Sequence, residues 1–231
     1  LGVFALKYLV DHVVLGVVIN LLATGFTGFM FHQLVKDSPT LNAVQVMQPV
    51  AVPGLSQIPF VGPIVFVQRP LTYIAVVAVA FVWFMLYRTK WGLRVRSVGE
   101  HPHAADTVGI NVVRTKFSSV VLGGVFAGLG GAFFTIGSSG AFQSTGVTAG
   151  NGFIALAAVI MGRWHPVLAA SMALFFGFSR QLAQTVGPLQ TPMPSEFLSA
   201  LPYLITIVAV AGLIGRVRAP AADGAHYVKG Q

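Results

Sequence analysis

The fold class this chain predicts is all-α: a polytopic transmembrane helical bundle with one short broken helix. Three observations carry it. Mean hydropathy is +0.79; hydrophobic residues make up 55% of the chain against 9% charged; and apolar runs of membrane length alternate with charged or glycine-rich segments. A soluble domain of this length carries far more charge. The formal net charge of +8 does not point to nucleic acid, because the basic residues flank apolar spans and form no aromatic-interleaved stripe. The chain has no cysteine, which excludes a disulfide framework, a thiolate nucleophile and a Cys-based metal site. Leu1 is not a start methionine and no signal peptide precedes the first apolar run. Residues 1–231 therefore read as a single transmembrane domain that is an N-terminally truncated fragment.

The first run, 13–31, would be about 28 Å long as a helix at ~1.5 Å per residue, enough to span once. A second, 71–87, ends in Tyr87, Arg88, Lys90 and Trp91, the aromatic and basic belt of a membrane surface. A third covers 117–136, and a later pair covers 167–182 and 195–215. In the last, Ser195 is placed to cap the helix with Glu196 in its first turn, and Pro202 is expected to kink it. Residues 153–163 are apolar but about half the length a span needs, and they follow an uncharged stretch, 137–152, with five glycines. A short helix joined to irregular backbone is tolerated in a membrane only where protein or a watery cavity satisfies its polar groups. That makes 137–162 the candidate lining of a pathway; an ordinary outer loop with a tilted helix is the alternative.

Residues 88–116 form a long charged loop between two spans, with Arg88, Lys90, Arg94, Arg96, Arg114 and Lys116 among the chain's 14 Lys and Arg. Inside it lies a helix-like piece with Pro102 at its start and Gly109 at its end. If this loop is cytoplasmic, alternation places Lys7, Arg163, Arg216, Arg218 and Lys229 on the same side and leaves Lys36, Arg69 and Arg180 outside. The positive-inside rule then predicts a cytoplasmic C-terminus and an outward 32–70 loop. That loop has six prolines (Pro39, Pro49, Pro53, Pro59, Pro63, Pro70) and is expected to be an extended lid over the bundle.

No phosphate-binding G-x-x-x-x-G-K-[ST] motif is present, so the chain carries no sign of hydrolysing ATP itself. Gly124, Gly128 and Ala132, and likewise Ala169, Ala173 and Gly177, make small-residue stripes suited to close helix packing. His101 and His103 bracket Pro102 and make a poor metal site. No acid falls in mid-span, which argues against an ion-coupled carrier. Asn20, Thr24 and Thr27 share one face of the first span and either bond a neighbouring helix or face a hydrophilic passage. A passage with uncharged donors and acceptors suits a neutral polar solute. Phe142 or Phe153 could then stack on a ring, and Gln143, Ser144, Thr148 and Asn151 would add hydrogen bonds.

Four segments together point to a family: DHVVLGVVINLLATGFTGF (11–29), IPFVGPIVFVQRPLTYIAVV (58–77), GLRVRSVGEHPHAADTVGINV (92–112) and GNGFIALAAVIMGRWHPVLAA (150–170). The chain resembles the nucleoside-importer branch of bacterial ABC permeases, in the superfamily that includes branched-chain amino acid and ribose permeases. The likeness runs through nearly the whole chain. It implies a subunit of the bacterial cytoplasmic membrane that is not an enzyme and binds no cofactor, with ATP and Mg held by partner subunits. Those partners would be two ABC ATPase subunits, a second related permease and an extracytoplasmic solute-binding lipoprotein. The resemblance also implies that the piece from Gly99 and Glu100 through Pro102, Ala104, Ala105 and Asp106 to Gly109 and Ile110 is the coupling helix, docking in an ATPase groove. Ala104, Ala105 and Val108 would offer the small apolar face. Here His-Pro-His stands where relatives usually have Asn-Pro. A nucleoside is the expected cargo, with a simple sugar as the alternative; a non-transporting scaffold or receptor is an alternative of another class.

Overall fold

A computed structural model describes residues 1–35, 45–59, 61–141, 148, 150–186 and 218–228. The chain opens with a short helix, α1 (Gly2–Lys7), and turns into α2 (His12–Leu34), the first membrane-length helix. The turn is set by Asp11, whose carboxylate accepts from the N–H groups of Val13 at 2.8 Å and Val14 at 3.0 Å. Two more helices are long and apolar enough to cross a membrane: α4 (Pro70–Arg88), with Pro70 in its first turn, and α7 (Val112–Ala132) with the residues that continue it to Gly137. α7 starts at Val112 and not at 117, because the Asn111 side chain caps it, accepting from the Arg114 N–H at 2.9 Å.

The charged segment 88–116 is accordingly not one long loop. It holds α5 (Lys90–Glu100), α6 (Pro102–Thr107) and the start of α7, joined by single tight turns. The described part of the 32–70 loop is also more ordered than an extended lid. Strands β1 (Val50–Ala51) and β2 (Val67–Gln68) pair antiparallel around a 3₁₀ turn at Leu55–Gln57 and α3 (Val61–Val65). Pro63 fits α3 because it falls in the first turn, where its missing N–H would have had no helical partner. The Tyr73 hydroxyl pins the pair, accepting from the Gln68 N–H at 3.1 Å and donating to the Val50 carbonyl at 3.0 Å. The expectation that this segment lies on the bundle has a contact behind it: the Met47 N–H donates to the Ile136 carbonyl at 3.1 Å.

Beyond Ala132, α7 widens into a π-helical turn, Phe133–Ser139, which ends at Gly140 with φ +65°. The short helix expected after the glycine-rich stretch is α8 (Asn151–Met161), and α9 (Pro166–Val186) folds back along it. Ala158, Met161 and Phe176 form their shared core. The hairpin between them is strained: Arg163 and Trp164, neither a glycine, have φ of 55° and 59°. Gly162 is required there, since a Cβ would run into the Ala169 backbone. The expected span 195–215, with Ser195, Glu196 and Pro202, lies outside the described residues.

The spans face outward almost entirely. On α2 only Leu15 is buried and on α4 no residue is, with Val13 75% and Val77 67% exposed. Apolar side chains at that density need lipid or other protein around them. The Gly124 and Gly128 stripe, expected to receive a close-packed helix, meets nothing within 4 Å of either added Cβ among the described residues.

Candidate functional site

The charged end of the molecule is built from α4 downward. Thr89 ends α4 and caps α5: its hydroxyl donates to the Met85 carbonyl at 2.5 Å and accepts from the Gly92 N–H at 3.1 Å. The turn is so tight that a Cβ on Gly92 would collide with the carbonyls of Met85 and Leu86. Trp91 then ties α5 to α7, its indole N–H donating to the Ser118 hydroxyl at 3.2 Å. The Arg96 guanidinium lies 4.8 Å from the Tyr87 ring, which itself packs on His165 of the α8–α9 turn at 5.2 Å.

α6 has the form its sequence predicts. Pro102 stands in the first turn and Gly109, at φ +83°, makes the exit, with the Ile110 N–H returning to the Ala105 carbonyl at 3.0 Å. Its two faces differ. Ala105 points inward, 3% exposed, into a cluster with Val98 of α5, Val112 of α7 and Tyr227. Ala104, Thr107 and Val108 are exposed, Val108 at 75%. The apolar face expected from Ala104, Ala105 and Val108 is thus divided between interior and surface.

Tyr227 belongs to the C-terminal tail, which sequence reasoning did not connect to this corner. The Ala222 N–H donates to the Gly99 carbonyl at 2.9 Å, and the Ala221 N–H reaches the Glu100 carboxylate at 3.4 Å. Lys116 of α7 donates to the Ala225 carbonyl at 3.0 Å, and His226 stacks on His12 of α2 with ring centroids 5.0 Å apart. The Tyr227 ring sits 5.3 Å from that of His103. Burial and then the Asp106 carboxylate, which takes the phenol's hydrogen bond, push the Tyr227 pKa up. A lone tyrosine in a short, otherwise small and polar tail was the one available signal.

The opposite end carries the pathway candidates, and the structure brings some of them together. Asn151 opens α8; its side-chain amide donates to the Thr148 carbonyl at 2.7 Å, and its side-chain oxygen accepts from the Arg180 guanidinium of α9. Arg180, read from the sequence only as an outer charge, is therefore part of this cluster. Phe153 stands beside it, 80% exposed. Asn20, Thr24 and Thr27 are on α2, also exposed, and both threonine hydroxyls are turned onto their own helix: Thr24 donates to the Asn20 carbonyl at 2.9 Å and Thr27 to the Ala23 carbonyl at 2.7 Å. Phe142, Gln143 and Ser144 lie outside the described residues.

Membrane-length helices, a half-length apolar helix and a tightly bonded charged corner define a polytopic α-helical membrane protein of the permease class. The model of one family, the branched-chain amino acid transport system permease component, matches residues 1–210, and the chain belongs to that family. It is similar to the guanosine ABC transporter permease protein NupQ of Bacillus subtilis, 42% identical over 98% of this chain and 72% of that one. It is 41% identical to the nucleoside ABC transporter permease protein NupC of Lactococcus lactis, over 95% of this chain and 69% of the relative. A putative glucose ABC transporter permease protein of Haloferax volcanii, TsgC13, is 34% identical over 87% of this chain and 66% of its own. No solved structure matches the chain.

Proposed function

We propose that this chain is the membrane-spanning permease subunit of an ATP-driven importer that carries nucleosides across the bacterial cytoplasmic membrane. The observation that carries the reading is identity of 42% and 41%, over nearly the whole chain, to permeases named for guanosine and nucleosides. ATP and Mg are held by two partner ATPase subunits, solute arrives from an extracytoplasmic binding lipoprotein, and the passage runs between this chain and a second, related permease.

The charged corner is the cytoplasmic end, since 88–116 alone carries six of the chain's 14 Lys and Arg, and the C-terminal tail lies with it. The exposed side of α6, with Ala104, Thr107 and Val108, meets an ATPase groove, while Ala105 and Asp106 join the helix to the bundle. When ATP draws the two ATPases together, α6 is displaced. The bonded corner of α5, α6 and α7 passes that displacement on as rocking of the spans, which is alternating access. At the outer end, Asn151, Thr148, Arg180 and Phe153 offer uncharged and cationic donors and an exposed ring to a neutral heterocyclic solute.

The test is uptake of radiolabelled uridine, adenosine and ribose by cells expressing the full-length gene with its ATPase and second permease, with and without Glu100→Arg. Nucleoside uptake lost in the variant supports cargo and coupling together. The similarity to TsgC13 favours a sugar as the second reading, and uptake of ribose alone would establish it in place of the first. Normal solute-stimulated ATP hydrolysis in Glu100→Arg would count against the coupling role of the segment from Gly99 to Ile110.

A further inference from the structure

α6 has six residues, far below the length at which a helix is stable alone, so its position is set by what it packs on. Its one buried residue, Ala105, has three neighbours in its cluster: Val98, Val112 and Tyr227. The first two belong to the helices on either side of α6 in the chain. Tyr227 arrives from more than a hundred residues away, on a tail fastened at several points: to Gly99 and Glu100 at the end of α5, to Lys116 on α7, and to His12 on α2.

From this arrangement we propose that tail residues 220–227 act as a clamp setting the angle of the coupling helix, with Tyr227 as its positioning residue. The inference rests on the coupling role of α6 proposed above. The ring of Tyr227 closes the third side of the pocket around Ala105 and lies 5.3 Å from the His103 ring, so two residues of α6 meet one tail residue. The backbone bonds upstream keep that ring in place. A lever held this way moves as one piece with α5, α7 and α2; without the clamp, α6 turns on the His101 and Gly109 hinges and the push from the ATPase is spent locally. The tail touches neither ATP nor solute. Its loss therefore uncouples hydrolysis from transport without stopping hydrolysis.

Residues 1–231 contain no cysteine, so an introduced pair can test the geometry in the assembled importer. A Cβ on Gly99 would stand 3.8 Å from the Cβ of Pro220, the usual separation across a disulfide. In membranes, Gly99→Cys/Pro220→Cys is expected to cross-link on oxidation, read as loss of maleimide labelling; failure to cross-link overturns the docking. In Tyr227→Ala the ratio of solute-stimulated to basal ATP hydrolysis, and uptake per ATP, are expected to fall at least fivefold. Tyr227→Phe, which keeps the ring, is expected within twofold of the parent. Oxidising the cysteine pair in the Tyr227→Ala background should recover most of the lost ratio, an effect that damaged folding would not give. Coupling retained in Tyr227→Ala, or lost equally in Tyr227→Phe, overturns the proposal. Val108→Asp, on the exposed side of α6 and away from the tail, separates the two readings. If it uncouples while Tyr227→Ala does not, only the clamp fails; if it leaves coupling intact, the docking role of α6 fails instead.

Discussion

Among the described residues, the two ends of this molecule are bonded to different degrees. At the charged end, residues 89–118 and 220–227 satisfy one another: caps, an indole hydrogen bond, a tilted ring contact and backbone bonds close the corner within one chain. At the other end, among the described residues, Thr148, Asn151 and Arg180 are joined, and the hydroxyls of the polar α2 face are turned onto their own backbone. A lever has to be rigid by itself, whereas a passage between two proteins has half its wall on the other one. Under the function proposed above, the charged end would transmit force within the chain, and the other end would share its wall with a second permease.

The largest effect expected from breaking this contrast is at Gly92. A methyl group there strikes the Met85 and Leu86 carbonyls, backbone atoms that cannot rotate away, so Gly92→Ala must open the α4–α5 turn. Overpacking of this kind costs about 1–3 kcal/mol. The expected result is a lowered thermal midpoint and reduced yield in detergent, with Gly128→Ala unchanged because its added Cβ meets nothing within 4 Å among the described residues. Equal loss in both would mean that the two regions do not differ in tightness.

Next comes the outer cluster. Arg180→Ala removes a charged hydrogen bond to Asn151 and the guanidinium itself, and a hydrogen bond to a charged group is worth about 1.5–3 kcal/mol. Uptake is expected to fall about tenfold or more while the stimulated ATPase ratio falls less, since the charged corner proposed to couple is untouched. Asn20→Ala, on the separate α2 face, is expected to change uptake by less than Asn151→Ala. The reverse order would move the pathway to α2.

A smaller effect is expected at Gly109, whose φ of +83° costs a residue with a side chain about 1 kcal/mol. Gly109→Ala is expected to weaken solute-stimulated hydrolysis a few-fold, and Gly109→Pro to abolish it. Val113→Ala, just inside α7, serves as the neutral comparison.

Much of this plan was legible in the residues. Apolar length located α2, α4 and α9 to within a few positions, and Pro102 with Gly109 marked α6 because both act through local backbone geometry. What was not legible depends on contacts distant in sequence. Charge density made 88–116 look like a loop, yet α5 is a helix because Thr89 caps it and Tyr87 and Ser118 hold Arg96 and Trp91. Arg180 read as an outer charge until Asn151 was placed beside it, and no local pattern pairs residues that far apart. Nor does periodicity announce Tyr227, since the tail has none, or the strain at Arg163 and Trp164, which arises from the turn between α8 and α9.

The smallest effect is at the seam between the two regions, where Asp11 caps α2 beside the His12–His226 stack. The N–H groups of Val14 and Val13 favour its ionised form and hold its pKa below the usual carboxylate value of 3.8. A carboxyl depressed in the folded state stabilises fully above its unfolded pKa, and the contribution is lost as pH falls through the folded value. Asp11→Asn keeps an oxygen for the cap but removes the charge. The variant is therefore expected to melt slightly below the parent at pH 6, with the gap narrowing as pH falls below the usual carboxylate value, as thermal scans in detergent would read. A gap that stays constant with pH would mean that the N-terminus of α2 draws nothing from the ionised carboxylate, and that the tail's stack on His12 holds that end of the helix by ring contact alone.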